Sequence, residues 1–224
     1  MTTVLGTSGP APGALDVARR FPASRFASAR AFGSAYLEEW SRASRTVDLG
    51  QLERAARMLG HAYRLGATVF SCGNGGSAAV ADHLQCDHLK GVRTGTDLRP
   101  RVLSLSSNVD LLTAIANDIG YEDVYVYQLE SHGRPDDVLV AISSSGRSPN
   151  IVRALAWARS SGLRTIAFTG FDGGEARQLA DVPLHVDSSN YGVVEDLHQA
   201  LMHAIAQFIR QSRMAPEAVA TTGF

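Results

Sequence analysis

Ala67-Thr68-Val69-Phe70-Ser71-Cys72-Gly73-Asn74-Gly75-Gly76-Ser77 sets the architecture of this chain. An apolar, β-branched run breaks into glycines and resumes as a helix-patterned segment over residues 78–89. A strand that ends this way brings bare backbone N–H groups and the positive end of a helix to one point, a place for an anion and most often a phosphate. The arrangement recurs further along. Asp137-Val138-Leu139-Val140-Ala141-Ile142 reads as a strand and runs into Ser143-Ser144-Ser145-Gly146-Arg147-Ser148, with Pro149 at a helix start. Two such turns in one chain imply a phosphorylated ligand held from two sides.

Outward from these turns the order is two helices, then alternating strands and helices. Residues 26–45 carry a helical stripe of Phe32, Ala35, Tyr36 and Trp40, and Asp48 is placed to cap a second helix that ends at Gly66. Further strands are read at 101–105, 165–169 and 182–186. Helices are read at 109–116, 121–132, 150–161, 175–179 and 193–213. The pattern predicts an α/β fold of Rossmann-like topology: a parallel five-stranded sheet with helices on both faces and an N-terminal helical extension. In such sheets ligands bind beyond the carboxyl ends of the strands, where the glycine and serine loops both lie. One domain is expected over residues 26–213. Residues 1–25, rich in Ala, Gly, Pro, Ser and Arg, read as a disordered leader, and 214–224 as a flexible tail.

Composition excludes several classes. A net charge of −1 gives no reason to expect nucleic acid or a membrane surface as partner. No apolar run is long enough to span a bilayer, and the N-terminus lacks the continuous apolar core of a secretory signal. Two cysteines, Cys72 and Cys86, are too few for a disulfide framework, so the expected compartment is a reducing cytoplasm and both thiols read as packing residues.

The combination of Gly73-Asn74-Gly75-Gly76-Ser77, Ala116-Asn117-Asp118, the serine loop and Thr169-Gly170-Phe171-Asp172-Gly173-Gly174 resembles a sugar isomerase (SIS) domain. More narrowly it is similar to the phosphoheptose isomerases, which interconvert sedoheptulose 7-phosphate and D-glycero-D-manno-heptose 7-phosphate. The resemblance implies that Ser143, Ser144, Ser145 and Ser148 bind the phosphate together with Ser77. It implies also that Asn74, Gly75, Gly76, Asp118 and Glu195 contact the substrate. Read from the residues alone, the alternative for the serines is a cap on the following helix, and for Asp118 a place in a turn. The resemblance further implies a homotetramer with shared active sites, in which Phe32, Tyr36 and Trp40 would otherwise be exposed.

Aldose–ketose isomerisation needs a base for a carbon-bound proton, an acid for the carbonyl oxygen, and stabilisation of the enediolate. His83 and Asp87, spaced i, i+4, share a helix face, and so do Glu195 and His203, two turns apart. By resemblance Asp87 and His203 are the catalytic pair, and His83, Asp87, Glu195 and His203 hold one zinc ion per subunit in the members that carry metal. The chain departs from the family pattern here. Asp87 and Glu195 replace the usual glutamate and glutamine, and Gly192 replaces an aspartate. The segment 84–91 is one residue longer than in the best-known members, which leaves open whether Asp87 or His88 faces the site; unbroken register from His83 favours Asp87. Two functions remain in view: a phosphoheptose isomerase (or one for another aldose–ketose pair), and a non-catalytic SIS regulator or scaffold that binds a phosphosugar and another protein. Only the first needs both a carboxylate at 87 and an imidazole at 203.

Overall fold

The computed structural model describes residues 20–223. Two helices, α1 (Ala29–Ser44) and α2 (Leu49–Leu65), precede the sheet. Ser28 and Asp48 cap them, Ser28 accepting from the Ala31 N–H and Asp48 from those of Gly50 and Gln51. Strands β1 (Thr68–Gly73), β2 (Arg101–Ser104), β3 (Val138–Ser143), β4 (Arg164–Thr169) and β5 (Val182–His185) form one sheet in the order β2-β1-β3-β4-β5, every pair parallel. The helices between and after them are α3 (Gly76–Cys86), α4 (Val109–Asp118), α5 (Val126–His132), α6 (Pro149–Ser160), α7 (Gly174–Leu179), α8 (Tyr191–Gln211) and the short α9 (Pro216–Val219).

Strand alternation divides the core into two layers. Val69, Val138, Val140, Ile142, Ile166 and Phe168 face α2, α3 and α8. Phe70, Cys72, Leu139, Ala141 and Ala167 face α4, α5, α6 and α7. All six residues of β3 are buried, as a central parallel strand covered on both faces requires. The expected α/β sheet is therefore present with its strands where the apolar runs placed them. The strand order reverses between β1 and β3, so the crevice above their carboxyl ends, where the glycine and serine loops emerge, is the natural ligand position.

Three local expectations differ from the structure. The helix read over 78–89 changes its ladder: α3 ends at Cys86 and the chain continues as a π-helix, Asp87–Val92. The helix read over 121–132 is a 3₁₀ turn, Tyr121–Asp123, followed by α5. Cys86 is exposed, whereas Cys72 is buried in β1, where burial pushes its thiol pKa up. Residues 1–19 of the expected leader lie outside the described residues. Of the rest, Phe21 packs its ring against Phe26, Phe32 and Tyr36. The expected tail contains α9, and Gly223 accepts a hydrogen bond from Arg210 at 3.2 Å. Among the described residues no helix is long and apolar enough to cross a membrane.

Candidate active site

The two loops meet through an amide pair. Asn74, the first residue beyond β1, and Asn150, in the first turn of α6, exchange hydrogen bonds of 2.9 Å in both directions. The Asn74 Oδ1 also accepts from the hydroxyls of Tyr121 and Tyr125, at 3.0 and 3.2 Å. Tyr125 donates as well to the Gly73 carbonyl, and the Ser106 hydroxyl holds the Gly73 N–H at 3.1 Å. This network fixes the glycine loop at the switch point.

The serine loop is braced from the other side. The Gly170 N–H donates to the Ser144 carbonyl at 2.8 Å, the Ala176 N–H donates to the Gly146 carbonyl, and Arg147 pairs with Asp172. Gly146 has φ +65°, and a Cβ there would lie 1.9 Å from the Gly173 carbonyl oxygen, so the loop after β4 presses directly on it. Between the loops lies a cleft of about 150 Å3 lined by Asn74, Ser77, Ser143, Ser144, Ser145, Ser148, Tyr191 and Glu195. The Ser143 and Ser145 hydroxyls accept the loop N–H groups of Gly146 and Arg147 at 3.2 and 3.3 Å, which leaves each O–H free to donate. Ser148 occupies the N-cap position of α6 without a side-chain capping bond, and the buried Ser144 hydroxyl has no hydrogen-bond partner among the described residues. A buried, unpaired hydroxyl is costly unless a ligand accepts from it.

Asp87 and His203 come together from residues 116 apart in the chain. The His203 Nδ1 lies 2.6 Å from the Asp87 Oδ2, and the His83 Nε2 lies 3.2 Å from the Asp87 Oδ1. The rings of His83 and His203 stand edge to face with centroids 5.0 Å apart, and Gln199 reaches the His203 Nε2 at 2.9 Å. Among the described residues, ligand atoms of His83, Asp87 and His203 lie within 4.8 Å of one another. Two imidazole nitrogens and one carboxylate are a donor set that zinc accepts with a fourth position left for substrate, so these residues fit the ion. Asp87 turns to His203, whereas His88 is fully buried and paired with Tyr63.

Two implied site residues lie elsewhere. Glu195 does not join the His83–Asp87–His203 group. It lines the serine cleft, where a Cβ on Gly76 would meet its Oε2 at 2.2 Å, so its carboxylate covers the start of α3. Burial, then the charge of Asp196, raises its pKa above the ordinary carboxylate range. The cause of its separation is helical: two turns of α8 carry Glu195 about 12 Å from His203. Asp118, the last residue of α4, is exposed, bonded to Asn117 at 2.7 Å, and does not line the cleft. The Gly192 departure has a steric reason. A Cβ there would lie 2.9 Å from the Tyr36 hydroxyl, which donates to Asp196 at 2.6 Å, so α1 fills the space that a side chain at 192 would take.

Comparison with known proteins agrees with this geometry. The SIS domain family model matches residues 34–170. The phosphoheptose isomerase of Akkermansia muciniphila is 38% identical over 164 residues, 72% of this chain and 85% of the relative. That of Mycobacterium tuberculosis is 36% identical over 196 residues, 84% of this chain and 98% of the relative. The chain belongs to the SIS domain family, among the phosphoheptose isomerases. In three dimensions it is similar to the phosphoheptose isomerase of Neisseria gonorrhoeae, with a TM-score of 0.76 and 30% identity, covering 82% of this chain and all of the other.

Within this SIS domain, sequence reasoning missed Asn150, Tyr121, Tyr125 and Tyr191. The first three act through Asn74 from elements that are distant in sequence, and Tyr191 packs a tilted ring against Phe171 with centroids 4.7 Å apart. A polar residue directly after Pro149 was the one available signal for Asn150.

Proposed function

We propose that the chain is an aldose–ketose isomerase that converts sedoheptulose 7-phosphate to D-glycero-D-manno-heptose 7-phosphate through an enediol. The observation that carries the reading is the contact between Asp87 and His203 at 2.6 Å, an acid–base pair that a binding-only SIS protein does not need. The relatives' name, phosphoheptose isomerase, supports a phosphorylated seven-carbon sugar as substrate.

The serine cleft takes the phosphate. The hydroxyls of Ser77, Ser143, Ser144, Ser145 and Ser148 and the N-terminus of α6 donate to its oxygens. One N–H of Asn74 goes to Asn150, which leaves the second for a sugar oxygen. Asp87 removes a proton from C1 of the ketose while His203, as imidazolium, protonates the C2 carbonyl oxygen, giving the enediol. Asp87 then returns a proton to C2, and His203 takes the O1 proton as the aldehyde forms. His83 holds the second carboxylate oxygen of Asp87 and so fixes its orientation. Glu195, which lines the same cleft, contacts the sugar phosphate from α8. Zinc bound by His83, Asp87 and His203 would polarise the carbonyl in place of the His203 proton and spread the enediolate charge.

The domain is proposed to span residues 26–213 and to act in the cytoplasm as a homotetramer with shared sites. Exposed Leu37 and Leu49 on the N-terminal helices and Phe208 on α8 support the assembly. Incubation with C5, C6 and C7 ketose phosphates, followed by carbonyl-position analysis, tests the reading. Turnover confined to C7 supports it, and tight binding without turnover would return the chain to the regulator class.

A further inference from the structure

Asp87 owes its direction to a wide turn. A π-helical turn is an α-helix holding one extra residue, and the side chains of that turn are redistributed around the axis. Here the π-helix Asp87–Val92 follows α3 without a break, and its first two residues diverge. Asp87 turns outward to His203 and His83. His88 turns inward to full burial, its Nδ1 2.6 Å from the hydroxyl of Tyr63, with ring centroids 5.6 Å apart. Tyr63 belongs to α2 and is itself buried.

An imidazole and a phenol are expensive to bury unless each finds a partner. Here one hydrogen bond pairs the phenol with the His88 Nδ1, while the His88 Nε2 is buried without a partner among the described residues, and that bond joins α2 to the residue next to the carboxylate. Apolar side chains of similar size would fill the same space, but they would place no directional constraint on the turn. We propose that Tyr63 and His88 form a positioning latch, which anchors the wide turn to α2 and thereby holds the Asp87 carboxylate against His203. The latch touches no substrate and acts through Asp87. It rests on the reading of Asp87 and His203 as the acid–base pair.

The test uses the full chain with Tyr63→Phe, His88→Leu and His88→Asn, and Asp87→Asn alongside, measuring kcat and KM for sedoheptulose 7-phosphate. Tyr63→Phe and His88→Leu are expected to lower kcat roughly 10- to 100-fold, the scale of a misplacement near 1 Å. KM should stay within about two-fold, because the phosphate is gripped at the serine loop. His88→Asn, whose amide can still pair with Tyr63, should recover most of the loss. Wild-type kcat in Tyr63→Phe and His88→Leu, with Asp87→Asn inactive, overturns the latch and leaves the acid–base pair standing. Full turnover by Asp87→Asn overturns the pair and the latch with it. A rise in KM that accompanies the fall in kcat and is not rescued by His88→Asn marks a general loss of structure and also overturns the latch. If His88→Leu fails to fold, Tyr63→Phe, which removes one oxygen, decides alone.

Discussion

Gly76→Ala isolates the contribution of Glu195 with a single methyl group. The new Cβ would lie 2.2 Å from the Glu195 Oε2, 2.6 Å from its Cδ and 2.7 Å from its Oε1. Ordinary contact needs more than 3 Å, so the carboxyl group must retreat by about 1 Å. What moves is the end of a flexible side chain, so stability should change little; alanine for glycine in the first turn of a helix favours folding by up to about 1 kcal/mol. Function should respond differently. A group displaced by about 1 Å from a productive pose typically costs on the order of 100-fold in rate. The assay is steady-state turnover of sedoheptulose 7-phosphate beside a thermal melt of the same preparation. The expected result is a Tm at or slightly above wild type with kcat/KM reduced by roughly two orders of magnitude. Wild-type kcat/KM would refute the assignment of Glu195 to the substrate cleft, and a collapsed Tm would refute the claim that only the carboxyl tip moves.

Other perturbations follow from the same geometry. Ser145→Glu places a negative charge in the cleft and should abolish sugar-phosphate binding by calorimetry while the fold survives; unchanged affinity would make the loop a mere helix start. Gly146→Ala combines φ +65° with a Cβ 1.9 Å from the Gly173 carbonyl oxygen, and should destabilise by about 3 kcal/mol or more in a denaturant titration. His198 is fully buried beside the Thr169 backbone, and burial pushes its pKa down from 6.5 to about 4. The unfolded chain therefore binds the extra proton first, so stability is intact above about pH 6.5 and is lost as pH falls towards 4, by roughly 3 kcal/mol from this group. Comparing His198→Phe with wild type across that window should show the variant with a flatter pH profile.

Much of the fold was legible because its signals are local. Glycines after β1, serines after β3 and Pro149 at the start of α6 each mark a strand giving way to a helix, and the structure puts both loops at one switch point. The π-helix was not legible, because a one-residue insertion leaves the apolar pattern of 84–92 readable as an ordinary helix. The break between Tyr121–Asp123 and α5 was missed because no glycine or proline interrupts 121–132, while Tyr121 and Tyr125 turn to Asn74. At the site, the i, i+4 spacing of His83 and Asp87 located one half of the acid–base group, and only family resemblance linked it to His203 on α8. Family resemblance also put Glu195 in the metal group, and its shared face with His203 fixes direction around a helix but not distance along it.

Solvent-isotope incorporation tests the central claim most directly. With sedoheptulose 7-phosphate in D2O, proton transfer by Asp87 through an enediol places deuterium at C2 of the aldose product, and His203→Ala should lower both turnover and incorporation by about 100-fold or more. Wild-type turnover or full deuterium incorporation by His203→Ala would contradict the account.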